Sequence, residues 1–190
     1  FKPRFHHIKQ PDAMECGATC LRMIARHYGK MYSAEAMRRI CTVGHNGVSM
    51  LSLNEAAVKI GFRTVCGRMT VEKLVEQHPF PCILHWNQEH FVVLHRVERD
   101  RKGKLKFHIA DPGKYLLALD EEAFRKAWTP GEGMQGEKGI LMALQPTSVF
   151  HSLKEEVGTE RSLSFLWSYL KDYKSLFGQL IAGLVIGSGL

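Results

Sequence analysis

The stretch HFVVLHRVERDRKGKLKFHIADPGK, His90 to Lys114, decides how the rest of the chain is read. HFVVLHRV and KLKFHIA are short, rich in β-branched and aromatic residues, and bounded by charge, glycine or proline, which is the composition of strands. The charged ERDRKGK between them, Glu98 to Lys104, is a turn, so the two runs are predicted to pair as an antiparallel hairpin. Such a hairpin brings the first residue of one strand, His90, near the last residue after the other, Asp111. That placement suits an acid orienting an imidazole. Taken singly, Asp-Pro-Gly is an ordinary turn signal and a strand-end histidine is more often structural.

Working outward, FRTVCGR from Phe62, CILHW from Cys82 and GILMAL from Gly139 have the same strand character. The first 60 residues differ. Cys16 to Tyr28 repeats Cys20, Leu21, Ile24 and Tyr28 at the helical period, and Gly29 supplies the stop. Ser33 to Ile40 is a second short helix capped by Ser33. Ser49 to Gly61 is a third, with Leu51, Ala56, Ala57 and Ile60 as its apolar face. DEEAF from Asp120 starts another short helix. Helices first and strands after indicate an α+β fold, not an alternating one with a parallel sheet.

The 190 residues are 45% hydrophobic and 24% charged, an ordinary globular composition. The formal charge is +7, but the basic residues are spread out, and neither a zinc-finger spacing nor an aromatic platform accompanies them. Nucleic acid is therefore not expected as a partner. The five cysteines are odd in number and irregular in spacing, with no signal peptide ahead of them, which suggests reduced thiols. The sequence begins without a methionine and is expected to have been trimmed.

Residues 1–147 read as one domain. TSVFHSLKEEVGTER, from Thr147, is polar and reads as a linker over residues 148–161. From Ser162, Leu163, Leu166, Trp167, Leu170, Tyr173 and Phe177 form an amphipathic stripe. Ser175 to Leu190 carries no charge. This run is about 24 Å of helix, short of the roughly 30 Å a membrane span needs. Its glycines suit packing between membrane helices. Residues 162–190 are thus expected to be an amphipathic helix and the start of a first transmembrane helix. The basic residues before it place the domain on the cytoplasmic side.

Cys16 stands where the helical pattern begins, and a thiol at a helix N-terminus has a lowered pKa. Gly17 after it is expected to leave room for a substrate backbone. Cys20, one turn further in, reads as packing. Among the ten histidines, His6, His7 and His151 lie in segments expected to be mobile, and His90 is the best partner for a thiolate. Gln10 lies six residues before Cys16, with Pro11-Asp12 turning the chain between them. Its amide, with the Cys16 N–H, would suit a developing oxyanion, although a lone glutamine carries little weight. A zinc site of Cys16, Cys20, His85 and His90 is a competing reading of the same residues, but no metal is expected.

QPDAMECGATCLRMIARHYG from Gln10, GVSMLSLNEAAVKIGF from Gly47, HFVVL from His90 and IADPG from Ile109 together resemble the C39 peptidase family, in matching order from about Ile8 to Leu144. These are the papain-like cysteine protease domains of bacterial peptidase-containing ABC transporters. The resemblance implies a helical N-terminal half and an antiparallel sheet half. It also implies Cys16 as nucleophile, His90 as base, Asp111 as its orienting acid and Gln10 at the oxyanion position. Glu15 stands where aspartate is common, with the charge kept. The implied substrate is a bacteriocin-like precursor peptide whose leader ends in a double glycine, cleaved before ATP-driven export. The implied setting is the cytoplasmic face of the inner membrane, in a homodimeric transporter. No cofactor is implied for the peptidase. ATP and Mg2+ would belong to a nucleotide-binding domain, and no GxxxxGK[ST] occurs in this sequence. The alternative is an inert domain that binds the leader without cutting it; the presence of Cys16 argues against that.

Overall fold

The structure is a computed structural model and describes residues 5–43, 47–129 and 136–153. Three helices come first: α1 (Cys16–His27), α2 (Ala34–Ile40) and α3 (Met50–Lys59). Then follow β1 (Phe62–Met69), α4 (Val71–Gln77), β2 (Cys82–Trp86), β3 (His90–Arg99), β4 (Leu105–Ala110), β5 (Leu116–Asp120), α5 (Glu121–Trp128), β6 (Gly139–Pro146) and α6 (Ser148–Ser152). The strands form one antiparallel sheet in the order β1-β6-β2-β3-β4-β5. The expected α+β architecture is therefore present.

Local chemistry starts these elements. Ser33, Ser49, Thr70 and Asp120 each accept a backbone N–H of the helix that follows, filling one of its unpaired donors. In the β3–β4 turn, Asp100 Oδ1 accepts from the N–H of Lys102 at 2.8 Å and of Lys104 at 2.9 Å.

The middle of the sheet, at β2 and the first half of β3, is buried on both faces. Phe91 and Val93 pack with Leu21, Ile24 and Leu53 on the side of the first three helices. Val92 and Leu94 pack with Leu74, Phe124 and Trp128 from α4 and α5 on the other. This is why FVVL is continuously apolar instead of alternating. On α3 the expected apolar face changes at one residue. Leu51 is 67% exposed, while Leu53 is fully buried beside Ala56 and Ala57. Leu53, Ala56, Ala57 and Ile60 stand at i, i+3, i+4 and i+7 on one face of the helix, and Leu51 points away from it, so the helical period itself selects Leu53.

The polar stretch from Thr147 reads as linker, yet its first residues form α6, which is docked on the domain. Phe150 is fully buried, 4.4 Å from the Phe62 ring centroid. Lys30 Nζ lies over its ring and donates to the Leu153 carbonyl. The Thr147 N–H donates to the Gly61 carbonyl at 3.1 Å. One buried aromatic is enough to hold a stretch whose average polarity suggests solvent. The rest of the expected linker and the expected helices at 162–190 lie outside the described residues. Among the described residues no helix is long and apolar enough to cross a membrane.

Gly61 makes this docking possible. Its φ is +93°, and a Cβ there would lie 2.4 Å from the Phe150 backbone nitrogen. Gly61→Ala is expected to cost about 2–4 kcal/mol, from the left-handed backbone and the clash together. Thermal unfolding measures it, and a variant as stable as the wild type would contradict the docking.

Candidate active site

A turn of 3-10 helix, Ala13–Glu15, feeds the chain into α1, so Cys16 is the first α-helical residue. Asp12 caps that turn through the Met14 N–H at 3.1 Å. Glu15, directly before the cysteine, is buried and reaches Arg38 of α2 at 3.6 Å, which ties the start of α1 to its neighbour. Cys16 is 7% exposed. Its sulfur is hydrogen-bonded to His90 and to the backbone N–H groups of Phe91 and Gly17.

The hairpin delivers the other groups. His90 opens β3 and Asp111 follows β4, and the His90 Nε2–H donates to Asp111 Oδ1 at 2.8 Å. This bond leaves Nδ1 of the imidazole for the thiol. Asp111 is 3% exposed, and its Oδ1 also accepts from the Gly113 N–H at 2.9 Å. The Gln10 backbone N–H donates to the Pro112 carbonyl at 2.9 Å, which holds the glutamine beside the same turn. Three side chains converge on Gly113. A Cβ built there would stand 3.4 Å from Asp111 Oδ1, 3.7 Å from Gln10 Oε1 and 3.7 Å from His90 Cε1. Gln10 Oε1 is buried and has no protein partner. Such a group is usually completed by a ligand or water. The four residues singled out in the sequence, Gln10, Cys16, His90 and Asp111, are thus gathered in one place.

Their charges are coupled. Burial pushes the Cys16 thiol up, but the His90 hydrogen bond, the Phe91 N–H and the His90 charge outweigh it and leave the pKa below its ordinary value. Burial pushes His90 down, while Asp111 and Cys16 raise it to about 9. Burial likewise opposes ionisation of Asp111, and the bonds from His90 and the Gly113 N–H hold its pKa below the usual carboxylate value. Each of the three shifts therefore favours the charged form, thiolate, imidazolium and carboxylate, and the groups titrate as a coupled set.

The other thiols behave differently. Burial and the nearby charges of Cys16 and Asp111 drive Cys20 far up, and burial lifts Cys41 to about 12 and Cys82 higher still. Cys66 is exposed but also raised. Iodoacetamide at pH 7 is expected to label Cys16 ahead of the rest, read by peptide mass spectrometry. Asp111→Asn removes a group that keeps His90 protonated. The Cys16 labelling midpoint should then move up in pH, and the loss of His90 proton, at about 9 in the wild type, should move down. An unchanged profile would contradict the coupling.

One expectation changes. Gly17 does not leave space for a substrate: a Cβ there would meet Val48 Cγ1 at 2.4 Å and Phe91 Cδ2 at 3.2 Å, so its space is filled by the core. Cys20 is fully buried as expected, and its Sγ–H also donates to the Phe91 carbonyl at 3.3 Å. The zinc arrangement does not form. Cys20 is committed to that carbonyl, His85 packs against the Phe91 ring, and among the described residues no group of three His, Cys, Asp or Glu side chains is placed to hold a metal.

Sequence reasoning missed His7, which lies in a segment expected to be mobile. Its Nε2–H donates to the Asp111 carbonyl at 2.7 Å. Gly113 was visible within the DPG turn, but not its place at the centre of the site.

Comparison with known proteins places this geometry. The profile of the peptidase C39 family matches residues 4–134. The colicin V secretion/processing ATP-binding protein CvaB of Escherichia coli is 28% identical over 179 residues, covering 94% of this chain and 23% of the relative. The lactococcin-G-processing and transport ATP-binding protein LagD of Lactococcus lactis is 29% identical over 175 residues, covering 90% of this chain and 22% of the relative. The chain thus spans less than a quarter of the length of these relatives. A crystal structure of a double glycine motif protease from an AMS/PCAT transporter, in complex with the leader peptide, superposes with a TM-score of 0.63 at 32% identity, covering 77% of this chain and 96% of the other. The peptidase domain of Streptococcus ComA superposes with a TM-score of 0.60 at 24% identity, covering 76% of this chain and all of the other, and shares the fold.

Proposed function

The chain belongs to the peptidase C39 family, and from that premise we propose that it is a thiol endopeptidase acting on a precursor peptide. It removes a leader that ends in a double glycine, as the processing step of an ATP-driven exporter of bacteriocin-like peptides. The observation that carries this reading is the hydrogen-bonded chain from Cys16 through His90 to Asp111, with the Gln10 side chain gathered beside it at Gly113. Support for the substrate comes from the 32% identical protease held in complex with a leader peptide.

The Cys16 thiolate attacks the carbonyl carbon of the last leader residue. The charge that develops on the carbonyl oxygen is met by the Gln10 side-chain amide and the Cys16 N–H. The intermediate collapses as the His90 imidazolium gives its proton to the leaving amine, which departs with the cargo peptide and leaves a thioester. Neutral His90 then takes a proton from water, the hydroxide attacks the thioester, and the leader acid is released with the thiolate and imidazolium restored. Asp111 holds the imidazole orientation throughout.

The peptidase step uses no cofactor. ATP and Mg2+ act in a nucleotide-binding domain outside this sequence. Residues 162–190 lead into the membrane, with the peptidase on its cytoplasmic side and the whole transporter a homodimer.

Incubation of the full chain with a synthetic double-glycine leader peptide tests the reading. Mass spectrometry should show one cut, directly after the glycine pair. Binding of the peptide with no cut between pH 7 and 8 would favour the inert alternative and sink the proposal. Gln10→Ala should lower kcat by about 10²-fold or more, with KM little changed.

A further inference from the structure

Residues 5 to 10 cross from one edge of the first core to the acid turn, and each end of this strap is secured. Phe5 is 6% exposed. Its ring stacks on His95 of β3, with centroids 4.6 Å apart and planes 7° from parallel, and lies 5.5 Å from the His27 ring at the end of α1. At the other end the Gln10 N–H donates to the Pro112 carbonyl at 2.9 Å. Between them His7 donates to the Asp111 carbonyl at 2.7 Å.

The turn that receives these bonds otherwise holds itself together. The Asp111 N–H donates to Tyr115, the Lys114 N–H to Asp111, and the Gly113 N–H to the Asp111 carboxylate. These internal bonds preserve the shape of the turn, and the ladder between β3 and β4 fixes it against β3 only as far as Ala110, opposite Val93. Asp111 meets His90 across the sheet end, so a small rotation of the turn as a body would break the 2.8 Å bond without disturbing any of them. His7 acts on the Asp111 backbone itself, close to the carboxylate that must be aimed.

We propose that His7 is a positioning residue of this site: carried on the strap that Phe5 anchors, its Nε2–H···O=C bond to Asp111 holds the acid turn where the carboxylate meets His90. This inference rests on the peptidase reading above. It assigns His7 no contact with substrate. It also makes the strap a single unit that carries both the proposed oxyanion amide of Gln10 and the clamp on the acid.

The test measures leader-peptide cleavage against pH in the full chain, alongside the iodoacetamide labelling profile of Cys16. His7→Ala should lower kcat about tenfold, the scale set by one net hydrogen bond, with KM within about twofold. The basic limb of the activity profile should move to lower pH and the labelling midpoint to higher pH, in the same directions as Asp111→Asn but by less. His7→Gln, which keeps a side-chain N–H donor, should recover most of the loss. Phe5→Ala should shift both profiles in the same directions as His7→Ala. A full-rate His7→Ala, a loss confined to KM, or a loss that His7→Gln fails to recover would overturn the proposal. If His7→Ala melts below the assay temperature, unmoved profiles in Phe5→Ala would overturn it instead. Should the wild type fail to cut the peptide, the peptidase reading falls alone, and the labelling profiles of the same variants still decide the role of His7.

Discussion

Cys16→Ala is expected to lower kcat/KM for a double-glycine leader peptide by about 10⁴-fold or more, to the background of the assay. The thioester cannot form without the sulfur. Gln10 and the Cys16 backbone N–H remain, so whatever residual acceleration survives comes from binding and oxyanion stabilisation alone. The side chain is small and its surroundings are packed, so the melting temperature should change little and the peptide should still bind. Cys20 supplies an internal check. The charge on Cys16 is one of the causes that hold its thiol pKa high, and that pressure is relieved in the variant. Cleavage at the wild-type rate by Cys16→Ala would remove the nucleophile from the proposed mechanism.

His90→Ala should cost about 10³–10⁴-fold in kcat at pH 7. Two losses combine. The leaving amine no longer has its proton donor. The Cys16 thiol also loses its hydrogen bond to His90 and the imidazolium charge, so burial, the largest influence on it, is opposed only by backbone N–H groups. Its pKa then moves up, and iodoacetamide labelling at pH 7 should slow in step. The deficit in labelling should shrink as pH rises and the thiol ionises by itself, whereas the deficit in peptide cleavage should persist, because the proton donor stays missing. A labelling profile identical to the wild type would mean that His90 does not set the charge state of Cys16.

Much of the site is visible in particular residues. The hairpin from His90 to Asp111 is legible because strand composition and a charged turn are local signals, and antiparallel pairing alone brings its two ends together. Cys16 is legible from its place at a helix start. Gln10 is not legible from its own surroundings and emerges only from the family pattern. The elements α4 and β5 escape the reading because they are short, as α6 does. VEKLVEQ is two turns of helix, and LLALD lies on an edge strand with alternating exposure and few β-branched residues. Gly17 and His7 escape for another reason: the Val48 side chain that fills the space at Gly17, and the Asp111 carbonyl that receives His7, come from distant parts of the chain.

The sequence by itself determined the α+β class, the main helices and strands, and the residue types available for chemistry. Those depend on periodicity, caps and turns, which act over a few neighbours. Only the tertiary structure decided which atoms meet. It docked the apparent linker through Phe150. It turned Nε2 of His90 toward Asp111, leaving Nδ1 for the thiol. The charge state of the site belongs to the same level, because each pKa there is a balance between burial and a partner brought from elsewhere in the chain.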